Sequence, residues 1–157
     1  MNQVSWLKKY KPKDLDSILG QEKPKELLKR ILITKELPHI LFYGPPGVGK
    51  TIMLYNFIHH FYHKHFDEMV MILNITDERG IKSVREKIKN FAKKSIAKNI
   101  IQEGIEFKLI ILEEAETITQ DAQTSLRRCI EQFSYITRFF MICNNINKII
   151  DPIKSRF

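Results

Sequence analysis

Apolar runs alternate with amphipathic segments along this chain. Four runs dominated by apolar residues are typical of strands buried on both faces: Ile40–Tyr43, Met69–Leu73, Phe107–Leu112 and Thr137–Cys143. The segments around them predict helices at Glu22–Ile33, Thr51–Phe61, Ile81–Ala97 and Gln120–Phe133, whereas residues 97–106 show no clear element. Buried strands separated by helices predict an α/β fold, with three α/β/α layers around a parallel sheet.

A polar residue or a glycine follows each predicted strand directly. These residues are Gly44, Asn74, Glu113 and Asn144. The carboxyl ends of parallel strands lie at one edge of a sheet, and ligands of open α/β sheets bind at that edge. We therefore expect the functional site where these four residues meet.

The stretch after the first strand fits the phosphate-loop pattern G-x-x-x-x-G-K-[ST] at every defined position. Its glycines allow backbone N–H groups to turn toward an anionic phosphate chain. Lys50 supplies a positive charge to the outer phosphates, and Thr51 offers a hydroxyl to Mg²⁺. With the next helical residue, the predicted ATP-binding stretch is Gly44, Pro45, Pro46, Gly47, Val48, Gly49, Lys50, Thr51 and Ile52.

Two adjacent acids, Glu113 and Glu114, end the third predicted strand. In phosphate-loop ATPases the first acid at this place holds the Mg²⁺ shell and the next can polarise the attacking water. The alternative is a helix N-terminus enriched in acids because of the helix dipole. The phosphate loop upstream favours the functional interpretation.

Composition narrows the class of protein. The 157 residues are 43% hydrophobic, enough for one domain with a core, and 26 Lys and Arg against 18 Asp and Glu give a net charge of +8. This charge indicates a polyanionic partner. The N-terminus does not resemble a signal peptide, and Cys129 and Cys143 lack metal-ligand spacing, so we expect a soluble intracellular protein with a buried Cys129.

Two further patterns have competing interpretations. On the helix from Ile81, the core-facing positions are predicted to be Ile81, Val84, Ile88 and Phe91, and a separate basic stripe contains Lys82, Arg85, Lys89 and Lys93. That stripe fits either a DNA backbone or a merely solvated face. A metal site is not favoured at His59, His60, His63 and His65, because histidine takes the place of glutamate in the would-be H-E-x-x-H pattern.

Several motifs in a fixed order resemble the small subunits of replication factor C, the AAA+ clamp loaders. The matching segments are Trp6–Pro12 (W-V-E-K-Y-R-P), Leu15–Glu22, Gly44–Thr51, Asn74–Ile81 (N-A-S-D-E-R-G-I), Leu112–Glu116 (L-D-E-A-D), Asp121–Arg128 (D-A-Q-x-x-L-R-R), Cys143–Asn144 and Ser155–Phe157 (S-R-C). The resemblance implies a P-loop NTPase fold of the AAA+ type. It also implies one ATP-binding domain over residues 1–157, ending before a fifth strand, a helical lid and a collar.

The resemblance also implies roles for particular residues. Adenine and ribose would be flanked by Tyr10, Lys11, Pro12, Ile18 and Leu19. Glu114 would be the catalytic base, Asn144 would position water or sense the γ-phosphate, and Arg156 would act in trans on a neighbour's ATP. Arg79, Arg85 and Lys89 would contact DNA phosphates. The implied partners are the other subunits of a heteropentamer, a sliding clamp and primer–template DNA, in the nucleus and without a membrane.

Three positions depart from the family pattern. Glu113 replaces an aspartate, which adds a methylene between the backbone and the carboxylate, Lys11 replaces an arginine and Phe157 replaces a cysteine. A nucleotide-binding but catalytically silent scaffold subunit is therefore one alternative, and a small-molecule kinase is another.

The resemblance also implies a property of the first strand. In the family's sheet a fifth strand pairs beside the strand that corresponds to Ile40–Tyr43, so Ile40–Tyr43 is predicted to have an unpaired edge here.

Overall fold

The computed structural model describes residues 12, 14–77 and 80–157. The described helices are α1 (Glu22–Thr34), α2 (Lys50–Tyr62), α3 (Phe66–Met69), α4 (Ile81–Lys93), α5 (Lys98–Gln102), α6 (Gln120–Phe133) and α7 (Asp151–Lys154). The strands are β1 (Ile40–Tyr43), β2 (Val70–Asn74), β3 (Lys108–Glu113) and β4 (Thr137–Cys143). Short 3₁₀ turns cover His63–His65, Ile75–Asp77, Ala115–Thr117 and Ile146–Lys148. Among these helices, none has the length and apolar character needed to cross a membrane.

The four strands form one parallel sheet in the order β1-β4-β3-β2. β1 pairs with β4 from Ile40 opposite Phe140 to Tyr43 opposite Cys143. Within the described residues its other edge has no partner strand, as predicted. An open cleft of about 490 Å³ runs beside this edge, and Leu27 of α1 and Tyr43 are both exposed there.

Alternate residues of the central strands enter opposite cores, which makes the three layers. Leu109 and Ile111 of β3 pack in the core beneath α1 and α2, together with the fully buried Phe57. Ile110 and Leu112 enter the other core, beneath α4 and α6. Because side chains alternate across a strand, a run that is apolar at every position must have a hydrophobic layer on both faces.

α4 is shorter than predicted, because it ends at Lys93 and not at Ala97. Lys94 has extended backbone, and the ammonium group of the buried Lys108 donates hydrogen bonds to the carbonyls of Phe91 (2.7 Å) and Lys94. This cation satisfies carbonyls at the helix C-terminus and favours termination there. The predicted lack of structure after Ala97 is also wrong, since Lys98–Gln102 forms α5.

His39 connects the start of β1 to β4. Its Nδ1 atom accepts a hydrogen bond from the backbone N–H of Phe139 at 3.0 Å, and its ring contacts the rings of Phe139 and Phe157. Burial, followed by the charge of Arg138, lowers the pKa of His39 to about 4. Protonation at Nδ1 would remove the acceptor that Phe139 uses.

We expect the stability of the protein to fall as the pH is lowered from about 6.5 to about 4. In this window the unfolded chain gains a proton on His39 that the folded chain does not accept, because the folded pKa is depressed. The loss should be about 1 to 2 kcal/mol, after allowing for solvent screening of a half-buried ring. Urea unfolding at several pH values measures it. His39→Gln should flatten the dependence, whereas the exposed-site control His59→Gln should retain it; an unchanged slope in His39→Gln contradicts the assignment.

Candidate nucleotide-binding site

The loop between β1 and α2 has a backbone that suits a bound anion. Gly47 and Gly49 have φ angles of 83° and 89°, a region that side chains with a Cβ atom disfavour. Gly49 immediately precedes α2, and no side chain caps the first turn of this helix. The N–H groups of that turn are thus available to phosphate oxygens, and the helix dipole favours negative charge there.

Lys50 joins the loop to the end of β4. Its ammonium group donates hydrogen bonds to the carbonyls of Gly44 and Pro45, both at 2.8 Å. A third bond, at 3.0 Å, goes to Oδ1 of Asn144, which is 94 residues away in the chain. The structure therefore brings together two residues to which the sequence assigned related roles.

A cleft of about 400 Å³ contains most of the predicted phosphate and metal residues. It lies at the carboxyl edge of the sheet, where the residues after β1, β3 and β4 meet. Its lining consists of Pro46, Gly47, Gly49, Lys50, Thr51, Ile52, Glu113, Glu114, Ile142, Cys143 and Asn144.

The oxygen groups of the cleft fit a magnesium ion. Thr51, which carries a hydroxyl, and Glu113 and Glu114, which carry carboxylates, line the same cavity. Mg²⁺ prefers hard oxygen donors, and it is usually held by one or two carboxylates together with substrate phosphates. Thr51 and Glu113 are the residues that would hold the metal shell here.

Tyr55 is a residue of this site that the sequence analysis missed. It lies one helical turn after Thr51 on α2, and its hydroxyl is 3.4 Å from Oε1 of Glu113. Burial, followed by the charge of Glu113 and the hydrogen bond to it, raises the pKa of Tyr55 to about 12. The phenol is therefore a neutral donor at ordinary pH. The i, i+4 spacing from Thr51 was the available signal.

The side chain of Glu114 is oriented by the backbone conformation of this residue and by a hydrogen bond with Thr76. It has left-handed backbone, with φ 56° and ψ 39°, which is uncommon for a residue with a side chain. Its Oε2 atom is 2.9 Å from the Thr76 hydroxyl, which also lies 2.7 Å from Oδ1 of Asn74. Both oxygens are acceptors, so the single hydroxyl proton serves one of them at a time. Thr76 links the ends of β2 and β3, a role that the sequence analysis did not assign.

Glu116 positions the backbone of Asn144. Its Oε1 atom accepts a hydrogen bond from the Asn144 N–H at 2.9 Å.

Burial and the nearby charge of Glu116 raise the pKa of the Cys143 thiol to about 11, although Lys50 acts in the opposite direction. Cys143 is thus a neutral packing residue. The buried Cys129 matches its prediction.

Gln123 connects α6 to the segment that leads to Arg156. This fully buried side chain donates to the carbonyls of Lys148 (2.7 Å) and Ile118 (3.3 Å), and it accepts from the Ile150 N–H at 2.8 Å. Arg156 follows α7 and is half-exposed, with Nη2 at 2.7 Å from Oε1 of Glu131. It does not line the cleft described above.

Of the five residues predicted to flank the nucleoside, the structure describes Pro12, Ile18 and Leu19. Tyr10 and Lys11 lie outside the described residues. The Pro12 carbonyl accepts a 3.3 Å hydrogen bond from the side chain of Asn56 on α2. Ile18 is buried in the core and Leu19 is 95% exposed, and neither lines the cleft. Their contact with adenine and ribose stays a prediction.

The predicted basic stripe is exposed on α4, while Val84 and Ile88 face the core. Arg85 lies beside α6, where its Nη1 atom donates to the Ser125 hydroxyl at 3.4 Å. Lys89 is exposed one turn further along. Arg79 lies outside the described residues. Contact of these cations with DNA stays a prediction.

Three histidines near the end of α2, His59, His60 and His65, each contact a different neighbour, and the rings of His60 and His63 meet edge to face. His59 stacks on Phe66, with ring centroids 4.4 Å apart, and Nδ1 of His60 lies 2.8 Å from the carbonyl of Asn56. Nε2 of His65 is 3.0 Å from a carboxylate oxygen of Glu103. Nowhere in the described part of the chain do three His, Cys, Asp or Glu side chains form a cluster that could hold a metal ion.

Solved structures with the same fold include a variant of RuvB from Thermotoga maritima. It is 19% identical, with a TM-score of 0.66 over 94% of this chain and 47% of that chain. PCH-2 from C. elegans is 15% identical, with a TM-score of 0.61 over 90% of this chain and 44% of that chain. At these identities the likeness supports the fold alone.

Curated relatives carry replication factor C names. Subunit 4 from Caenorhabditis elegans is 44% identical over 98% of this chain, and the small subunit from Saccharolobus solfataricus is 42% identical over 99%. Subunit 2 from Saccharomyces cerevisiae is 44% identical over 98%. The chain covers 46%, 46% and 45% of these three proteins, so it spans about half of their length. The resemblance to replication factor C small subunits is thereby confirmed.

A family model describes the architecture directly. The model for the ATPase family associated with various cellular activities (AAA) matches residues 40–157. This match begins at β1 and includes the phosphate loop, Glu113, Glu114 and Asn144. The chain therefore belongs to the AAA family of ATPases.

Proposed function

We propose that this chain is an ATP-binding subunit of a replication factor C clamp loader. It would use ATP binding and hydrolysis to open a sliding clamp and load it on primed DNA during replication and repair. The observation that carries the proposal is the cleft in which Lys50, Thr51, Glu113, Glu114 and Asn144 meet. The replication factor C names of relatives at 42–44% identity support clamp loading as the process that this ATPase site serves.

Five side chains of the cleft have a definite task in this proposal. Lys50 and the first turn of α2 bind the phosphate chain, and Asn144 orients the water or senses the terminal phosphate. Glu114 accepts a proton from the attacking water, with Thr76 as its partner. Bound Mg²⁺, held by Thr51 and Glu113, would neutralise charge on the phosphate oxygens.

The assembly-level assignments belong to the same proposal. Residues 1–157 would form one ATP-binding domain, and the partners would be the other subunits of a heteropentamer, the clamp and primer–template DNA. Arg156 would stabilise charge on ATP that a neighbouring subunit holds, so assembly would gate hydrolysis. We assign the nucleus because relatives at 44% identity are eukaryotic; an archaeal relative matches at 42% identity.

A turnover assay tests the proposal. The chain is combined with its partner subunits, the clamp and primed DNA, and phosphate release is followed with and without DNA. DNA-stimulated hydrolysis that needs the partners supports a clamp-loader ATPase. Nucleotide binding without any contribution to turnover would support the silent scaffold subunit instead, an alternative that rests on Glu113 in the aspartate position. Phosphoryl transfer to a metabolite would support a kinase.

We also propose that the exposed cations of α4 track a DNA backbone without reading bases. Arg85 and Lys89 lie on one exposed face of the helix, adjacent to the face that buries Val84 and Ile88. The net charge of +8 favours a polyanion as the partner of this face. Arg79 would extend the same contact.

Charge reversal on this face should weaken DNA binding by the assembled complex. Replacing both Arg85 and Lys89 by glutamate removes two phosphate contacts, so the slope of log affinity against log salt should decrease by about 2. Fluorescence anisotropy of primed DNA at several salt concentrations measures it. The control changes Lys23 and Arg30, two exposed cations of α1, to glutamate and should leave the slope unchanged. Equal slopes for the two double variants would exclude DNA contact at α4.

A further inference from the structure

Glu113 has a longer side chain than the aspartate that the family pattern places there, and the hydroxyl of Tyr55 lies beside its carboxylate. The extra methylene adds one rotatable bond between the backbone and the carboxylate. A freely rotating carboxylate is a poor metal ligand, because fixing it on binding costs conformational entropy. Some contact must therefore orient Glu113 if it is to hold the metal shell well.

Tyr55 supplies that contact. Its ring packs against the core beneath α1 and α2, so the position of the hydroxyl is set by apolar packing. That hydroxyl lies 3.4 Å from Oε1 of Glu113, a hydrogen bond longer and weaker than one at the usual O–H···O separation of about 2.7 to 2.8 Å. Tyr55 follows Thr51 by one helical turn, and therefore the helix that offers the metal-binding hydroxyl also carries the group that orients the carboxylate.

We propose that Tyr55 is a positioning residue for the magnesium shell, acting by holding Glu113 through its phenol hydroxyl. One carboxylate oxygen accepts a hydrogen bond from the phenol hydroxyl, which keeps its proton, and the other oxygen is left for the metal or for its bound water. The pair compensates for the longer acidic side chain, since an aspartate at 113 would end short of the phenol. This inference rests on the proposed nucleotide site and adds a residue that sets its metal affinity.

The test measures metal affinity and not turnover. A fluorescent ATP analogue is bound to the 157-residue chain in EDTA, and Mg²⁺ is then titrated to find the midpoint of its effect on nucleotide affinity. Tyr55→Phe keeps the packed ring and removes the hydroxyl. It should leave the affinity in EDTA unchanged and raise the Mg²⁺ midpoint on the order of tenfold, as expected for an outer-shell partner of a metal ligand.

Tyr62→Phe is the matched control. It lies on the same helix and also loses a hydrogen-bonded hydroxyl, which donates to the Phe107 carbonyl at 2.9 Å, away from the cleft. Its Mg²⁺ midpoint should equal that of the unaltered chain. A midpoint in Tyr55→Phe equal to that in Tyr62→Phe would overturn the inference, while nucleotide binding would still support the proposed function.

A double-mutant cycle adds a second criterion. In a Glu113→Asp background the carboxylate is beyond the reach of the phenol, so Tyr55→Phe should produce no further shift of the Mg²⁺ midpoint. An equal shift in both backgrounds would show that Tyr55 acts by another route and would overturn the inference. Absence of nucleotide binding by the unaltered chain, with or without Mg²⁺, would refute the proposed function itself and this inference with it.

Discussion

Replacing Glu114 by glutamine is expected to lower ATP turnover at this subunit by about two to four orders of magnitude. The amide has nearly the same shape as the carboxylate and can retain the contact with Thr76, which is 2.9 Å long in the native chain. It has no negative charge with which to accept a proton from water. Phosphate binding by Lys50 and the first turn of α2 does not involve this side chain, so nucleotide affinity should be unchanged.

The measurement requires a complex in which this chain is the only hydrolysing subunit, with the phosphate-loop lysines of its partners replaced. Phosphate release is then compared in single-turnover experiments. Glu26→Gln, at an exposed position of α1, is the control for a neutralised acid and should behave like the unaltered chain. Unchanged turnover in Glu114→Gln would instead indicate the silent scaffold subunit.

Replacing Arg156 by alanine should lower hydrolysis at a neighbouring subunit by about a thousandfold. Arg156 does not line the cleft of its own chain, and its guanidinium is half-exposed beside Glu131. The segment that carries it is held in place by the hydrogen bonds of the buried Gln123. A fixed and accessible arginine of this kind can supply charge to a site on another subunit.

The experiment separates an effect in trans from an effect in cis. Arg156→Ala is combined with Lys50→Ala in the same chain, so that hydrolysis is measured only at the sites of the partner subunits. Arg156→Lys keeps the charge but loses the planar fork, and it should recover only part of the rate. Arg30→Ala, on the exposed face of α1, is the control. A weaker affinity of the single variant Arg156→Ala for its own nucleotide, with normal turnover in the partners, would contradict the assignment.

The fold was predictable because its strands are apolar runs, of which the central β3 and β4 are buried on both faces. Apolar runs such as Ile40–Tyr43 cannot be mistaken for amphipathic helix, and the observed strand limits differ from the predicted ones by at most one residue. The C-terminal end of α4, at Lys93, was not predictable in the same way. It depends on Lys108, which reaches the carbonyls of Phe91 and Lys94 from a different strand.

The phosphate loop and the two acids at the end of β3 were likewise predictable from the sequence alone. Their chemistry needs residue types at fixed short spacings, as in Gly44–Thr51 and in the adjacent Glu113 and Glu114, so a local pattern contains the necessary information. The alternation of apolar runs with helices predicted a parallel sheet, and with it the convergence of the strand ends. In the parallel sheet, Oδ1 of Asn144 lies 3.0 Å from Nζ of Lys50.

The contacts that orient these groups follow from the order β1-β4-β3-β2 and from side-chain packing. Tyr55 with Glu113, Thr76 with Glu114 and Glu116 with Asn144 join residues that are 58, 38 and 28 positions apart. No short spacing encodes such pairs, because each forms only after the elements that carry the two residues have packed together. Local sequence thus specified the reacting groups of this protein, whereas the packing of its strands and helices selected the neighbours that hold those groups in place.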